Sequence, residues 1–158
     1  MAICDVVDNF SDFGPTWNLD DYIYIGERKG IVRVSANSGK PETIVALKET
    51  ETAHRPQLLP GGDGLLFTLA SGESVPRWNN AQIVVQSLKS GERKVLIEGG
   101  SDARYVPTGH LVYAIGSTLL AVPFDVKKLQ VTGGPVPILE GVSGFRQARL
   151  WARSPSWL

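Results

Sequence analysis

A short strand, a tight polar turn and a second apolar strand recur three times in this chain. The copies are Trp17-Asn18-Leu19-Asp20-Asp21-Tyr22-Ile23-Tyr24-Ile25, Leu58-Leu59-Pro60-Gly61-Gly62-Asp63-Gly64-Leu65-Leu66-Phe67 and Tyr105-Val106-Pro107-Thr108-Gly109-His110-Leu111-Val112-Tyr113. Laid over one another they make Ile23, Leu65 and Leu111 equivalent, so the interval is 42 residues (23 to 65) and then 46 (65 to 111). A unit of this length cannot bury its apolar face alone, so copies must stack on one another.

Each copy continues in the same way. In the first, Gly30 to Ser35 reads as a third strand, Asn37-Ser38-Gly39-Lys40 as a turn and Glu42 to Leu47 as a fourth strand. In the second, Ala81 to Leu88, Lys89-Ser90-Gly91-Glu92 and Arg93 to Glu98 repeat that order, the Ser-Gly pairs supplying the positive φ that a short hairpin demands. In the third, Thr118 to Phe124 passes through a longer connection, Asp125 to Pro135, into Val136 to Glu140. Runs of this kind bounded by Gly, Pro, Asn and Asp, without long stripes of period 3.6, are all-β. Four antiparallel strands in about 40 to 50 residues make one blade of a β-propeller. The expected blades run over about 14–47, 54–98 and 102–140 within one domain spanning 1–158. Residues 2–7 read as the outer strand of a preceding blade and 144–152 as the inner strand of a following one.

Sixteen acidic residues balance sixteen basic ones, so no global field points to nucleic acid or to an anionic membrane surface. The longest apolar runs, such as Leu119 to Phe124, are strand-length and far short of the roughly 20 residues of a membrane helix. Met1 to Asp12 carries Asp5, Asp8 and Asp12 and no basic n-region, unlike a secretory signal. The expectation is a cytoplasmic chain, with a membrane-associated or periplasmic parent as the alternative. Cys4 is the single cysteine, which excludes an internal disulfide and a cysteine-based zinc site. The ends differ in charge: residues 1–28 hold six acids against Arg28, and residues 141–158 hold Arg146, Arg149 and Arg153 with no acid.

The repeats resemble WD-like propeller repeats of the TolB type (PD40), in which aromatic, Ser, Pro, Asp, Gly and then apolar residues recur once per blade. Trp17-Asn18-Leu19-Asp20-Asp21 and Leu59-Pro60-Gly61-Gly62 are degenerate copies of that motif. The stretch from Ala81 to Leu88 through Ala103 to Ala114 is similar to the propeller region that follows bacterial serine/threonine kinase domains. The resemblance covers about residues 1–143 and implies a bacterial propeller. No glycine loop, His-Arg-Asp or Asp-Phe-Gly signature of a kinase occurs. After Gly144 the repeat ceases, as in a truncated gene product, and a fragment without a selected role is one reading.

Closed propellers hide the flat faces of their blades against one another, and three blades leave two faces bare. Ile23, Ile25, Leu66, Val84, Val112 and Leu120 are candidates for those faces. A homodimer in which each chain closes the other hides them, with the acidic start meeting the basic finish.

Chemistry is sparsely marked. His54 precedes the innermost strand of the second blade beside Arg55, near the opening of a pore; Arg104, and then Arg146, repeat the inner-strand location of Arg55. Recurring guanidiniums around one axis suit carboxylate or phosphate groups. Trp78 and Asn79, in the long insertion Ser71 to Asn80, form a loop candidate for stacking on a sugar or peptide. His110 occupies a turn, and Asp20, Asp21 and Asp63 lie in turns where bonds to the backbone explain them better than calcium does. No Gly-x-Ser-x-Gly elbow occurs. The leading expectation is therefore a scaffold that binds a protein, peptide or small anionic ligand at its pore, with no cofactor and no metal. The alternative is a hydrolase or lyase whose pore site is built from two chains.

Overall fold

The computed structural model describes residues 14–18, 20–27, 29–37, 39–72 and 80–142. They form three antiparallel sheets. The first is β1 (Thr16–Trp17), β2 (Tyr22–Gly26), β3 (Gly30–Ser35) and β4 (Glu42–Ala46), in that order across the sheet. The second is β5 (Glu51–Leu58), β6 (Gly64–Ser71), β7 (Gln82–Ser87) and β8 (Arg93–Glu98). The third is β9 (Ser101–Val106), β10 (His110–Ile115) and β11 (Thr118–Asp125), whose outer edge is shared by β12 (Gln130–Val131) and β13 (Val136–Glu140). Among the described residues no helix is long and apolar enough to cross a membrane.

Cross-strand register makes the repeat a physical one. Ile23 faces Trp17, Leu65 faces Leu58 and Leu111 faces Tyr105, so the three apolar positions equated in the sequence hold one place in each hairpin. Successive sheets meet through their first strands: β1 and β2 touch β5, while β6 and β7 touch β9. The strands β1, β5 and β9 are therefore innermost, and each later strand lies further out.

Alternation in β6 explains why the middle sheet is sealed. Neighbouring side chains of a strand point to opposite faces. Leu65, Phe67 and Leu69 pack with Tyr24, Ile31 and Val45 of the first sheet and with Ala53 of β5. Leu66 faces the other way, into a cluster with Ile83, Ala103, Leu111, Tyr113, Val122 and Phe124. Leu66 and Val84 are thus fully buried within the molecule, not on a bare end face, because both belong to the sheet with neighbours on two sides. Ile25 is buried as well, whereas Ile23, Val112 and Leu120 are half-buried.

Two devices lock neighbouring sheets. Gly26 lets β2 pass directly over the Ala53 carbonyl, space that a Cβ would fill. Arg93 reaches from β8 across the seam, donating to the Ala46 carbonyl at 3.2 Å and approaching Glu51 Oε2 at 3.4 Å. The connection that follows β11 is not a plain loop. Asp125 accepts bonds from the Lys127 and Lys128 amides, closing a turn that sends β12 back along β11. Leu129, at φ 51°, then lays its side chain on the second sheet, where a Cβ at Gly64 would be 2.8 Å from its Cδ2.

The far edge of the third sheet is different in kind. All of β13 is exposed, including Val136, Ile138 and Leu139 at 59%, 54% and 55%. Residues 2–7 and 144–152, expected to be strands of adjoining blades, lie outside the described residues.

Candidate functional site

The inner strands carry irregularities at one register. In β5, Arg55 and Pro56 together oppose the single residue Phe67; in β9, Asp102 and Ala103 oppose Tyr113. Such bulges place an extra residue that re-aims a side chain, and they concentrate beside functional sites. The first bulge residue is left-handed in both strands, Arg55 at φ 48° and Asp102 at φ 54°. A non-glycine residue so held costs of order 1–3 kcal/mol and persists only where its surroundings enforce it.

Four side chains of β5 and β9 meet there. His54 Nδ1 lies 3.3 Å and Arg55 Nε 3.5 Å from the same oxygen, Asp102 Oδ1. Arg104 Nη1 donates to the Arg55 carbonyl at 3.2 Å. The Asp102 amide donates to Thr68 Oγ1 at 3.0 Å, and Thr68 itself pairs across to His54. Gln57 holds the two strands in register like a piece of backbone: its Oε1 accepts from the Tyr105 amide at 2.8 Å and its Nε2 donates to the Tyr105 carbonyl at 3.3 Å.

The electrostatics follow from that geometry. Burial by itself would raise the Asp102 carboxyl, but His54, then Arg55 and Arg104, outweigh it and hold the group below the usual carboxylate range. Arg104 is lowered, by burial first and by the neighbouring Arg55 second, with Asp102 working against both. The cluster thus holds two guanidiniums to one carboxylate, Arg55 against Asp102 and Arg104 against the Arg55 carbonyl, leaving a local excess of positive charge. Arg55 is 48% exposed, so that excess faces solvent.

Three sequence expectations change. His54 does not precede the inner strand but lies within β5, 2% exposed, with Nδ1 against Asp102. Arg104 does not repeat the place of Arg55: by register it matches Gln57, and Arg55 matches Asp102, because each of these pairs lies one or three residues before Leu58 and Tyr105. His110 is the first residue of β10, with Nδ1 3.0 Å from the Thr108 carbonyl oxygen, not a turn residue. Arg146, Trp78 and Asn79 lie outside the described residues. Asp102 was missed altogether; counting back three residues from Leu58 and Tyr105, and not matching arginine to arginine, would have found it.

The acidic turn residues have structural tasks. Asp20 accepts from the Tyr24 hydroxyl at 2.6 Å, Asp63 pairs with Lys89 at 2.8 Å, and Asp21 takes the left-handed turn position at φ 59°. Among the described residues no three of His, Cys, Asp and Glu gather as a metal centre would require.

A search of solved structures supplies the fold. A regucalcin from Agrobacterium tumefaciens strain C58, described as a calcium-binding protein, matches with a TM-score of 0.59 over 81% of this chain, at 12% identity. The fold is that of a β-propeller. The three sheets are its blades, and β1, β5 and β9 are the strands that face a propeller's axis. An auxiliary nutrient binding protein from Bacteroides thetaiotaomicron aligns over 84% of the chain at 10% identity and a TM-score of 0.44. The chain spans 45% and 43% of those two proteins, about half of each. No protein family model and no curated protein matches the propeller.

Proposed function

We propose that this propeller is a binding module that takes an anionic group of a small ligand or peptide at the axial end of its inner strands. Arg55 and Arg104 carry the charge, Asp102 orders them, and His54 and Gln57 fix Asp102 and the strands around it. The observation behind the reading is the pairing of two guanidiniums with one carboxylate: Arg55 lies against Asp102, and Arg104, disfavoured by burial and by Arg55, lies against the Arg55 carbonyl. A second anion relieves the repulsion, and paired guanidiniums suit planar or tetrahedral oxyanions. Calcium, named in the description of the regucalcin, finds the opposite field at this cluster. The TolB-type assignment of the repeats is part of the same proposal and agrees with a recognition role. So is closure of the ring by a second copy of this chain, which would add three more blades.

Titration with inorganic phosphate at low ionic strength, followed by calorimetry, tests the site. Arg104→Gln is expected to weaken binding about tenfold or more, the range of a lost charge-assisted hydrogen bond. Equal affinity in the variant sinks the reading. A second reading, hydrolysis, draws on the contact of His54 with Asp102, since a carboxylate that orients an imidazole is a general-base arrangement. Turnover of chromogenic esters that disappears in His54→Ala favours it over binding alone.

A further inference from the structure

The left-handed position of the inner strands recurs a third time. Gly14, at φ 71°, stands three residues before Trp17, as Arg55 stands before Leu58 and Asp102 before Tyr105. Pro15 follows Gly14 as Pro56 follows Arg55. One register thus carries no side chain in the first blade, a cation in the second and an anion in the third.

The vacancy in the first blade is occupied by the second. A Cβ built on Gly14 would lie 2.7 Å from Arg55 Cγ, 3.3 Å from its Nε and 3.5 Å from its Cδ. The Arg55 stem therefore lies in the volume that a side chain at 14 would claim. The Nε it would press on is the atom 3.5 Å from Asp102 Oδ1. Gly14, Arg55 and Asp102 form a chain of contacts across three blades, and the middle member can hold its place only if the first has no side chain.

We propose that Gly14 is the positioning residue of the anion site, the seat in which Arg55 lies so that its guanidinium is presented beside Arg104. The inference rests on the anion-binding reading above. It further predicts that this register governs selectivity: a carboxylate introduced at 14 would neutralise Arg55 directly.

A double-mutant cycle on phosphate affinity tests it, using wild type, Gly14→Ala, Arg55→Ala and the double variant, with melting temperatures recorded for each. Gly14→Ala should weaken phosphate about tenfold, and adding it to Arg55→Ala should weaken binding no further. Gly14→Asp should abolish phosphate binding. Additive losses in the cycle, or a Gly14→Ala variant that binds as wild type does, overturn the role of Gly14 while leaving the anion site standing. If wild type itself takes no phosphate, the anion reading has failed instead. Since φ 71° strains an alanine whatever the space, Gly14→Asn, a residue that tolerates the left-handed region, is the second variant: it too should weaken phosphate about tenfold, and wild-type affinity in it overturns the seat.

Discussion

Asp102 and Tyr24 respond to pH in opposite directions. Asp102 is held below the usual carboxylate range, so its contribution to stability is present above about pH 4, where the unfolded carboxyl ionises, and is lost as pH falls through the lowered folded value. Asp102→Asn should therefore flatten the acid limb of stability, read as urea midpoints from pH 6 down to pH 2. Tyr24 is raised to about 12, first by burial and then by its bond to Asp20. Its contribution is complete below about pH 10, where an unfolded tyrosine ionises, and disappears as pH rises through 12. Denaturant midpoints between pH 9 and 12 should fall for wild type and fall less for Tyr24→Phe. Sequence reasoning reached Arg55 and Arg104 but not the carboxylate that joins them. Asp102 follows a turn-like Gly-Gly-Ser and resembles an ordinary loop acid; only strand register reveals a bulge, and a bulge shifts every later residue by one place.

Among elements, the strap made by the turn from Asp125 to Leu129 carries the most local information. Its leucine sits left-handed and packs on Leu59 and Gly64, so the third blade grips the second outside the shared sheet faces. Leu129→Ala should lower stability by about 1–3 kcal/mol, the range for a partly buried large-to-small change, in equilibrium unfolding. Gly64→Ala should destabilise by forcing the same methyl group away. The strands β3, β8 and β13 coincide with the limits read from turn residues, since Gly, Ser-Gly and Pro punctuate them. The short β12 was hidden inside a connection because two residues of pairing leave no alternation to read.

At the scale of the whole molecule, the interval between repeats was enough for the propeller fold, because stacking of four-stranded units leaves few other solutions. Which faces stay open was less legible: alternation says which side chains share a face, not whether a neighbour covers it, and so Leu66 and Val84 were placed at an end. The exposed Val136, Ile138 and Leu139 are an apolar edge that the proposed second copy would cover. Light scattering on this 158-residue polypeptide at micromolar concentration should give twice the 17.1 kDa chain mass. A monodisperse 17.1 kDa particle removes that proposal.

The sheath of side chains around β6 has a kinetic corollary. Gly64 to Ala70 are all buried and β6 is paired along both edges, to β5 and β7, so its amides stay hydrogen-bonded when either outer blade opens. Its amide protons should be the last to exchange with deuterated solvent, at rates set by complete disassembly of the three sheets.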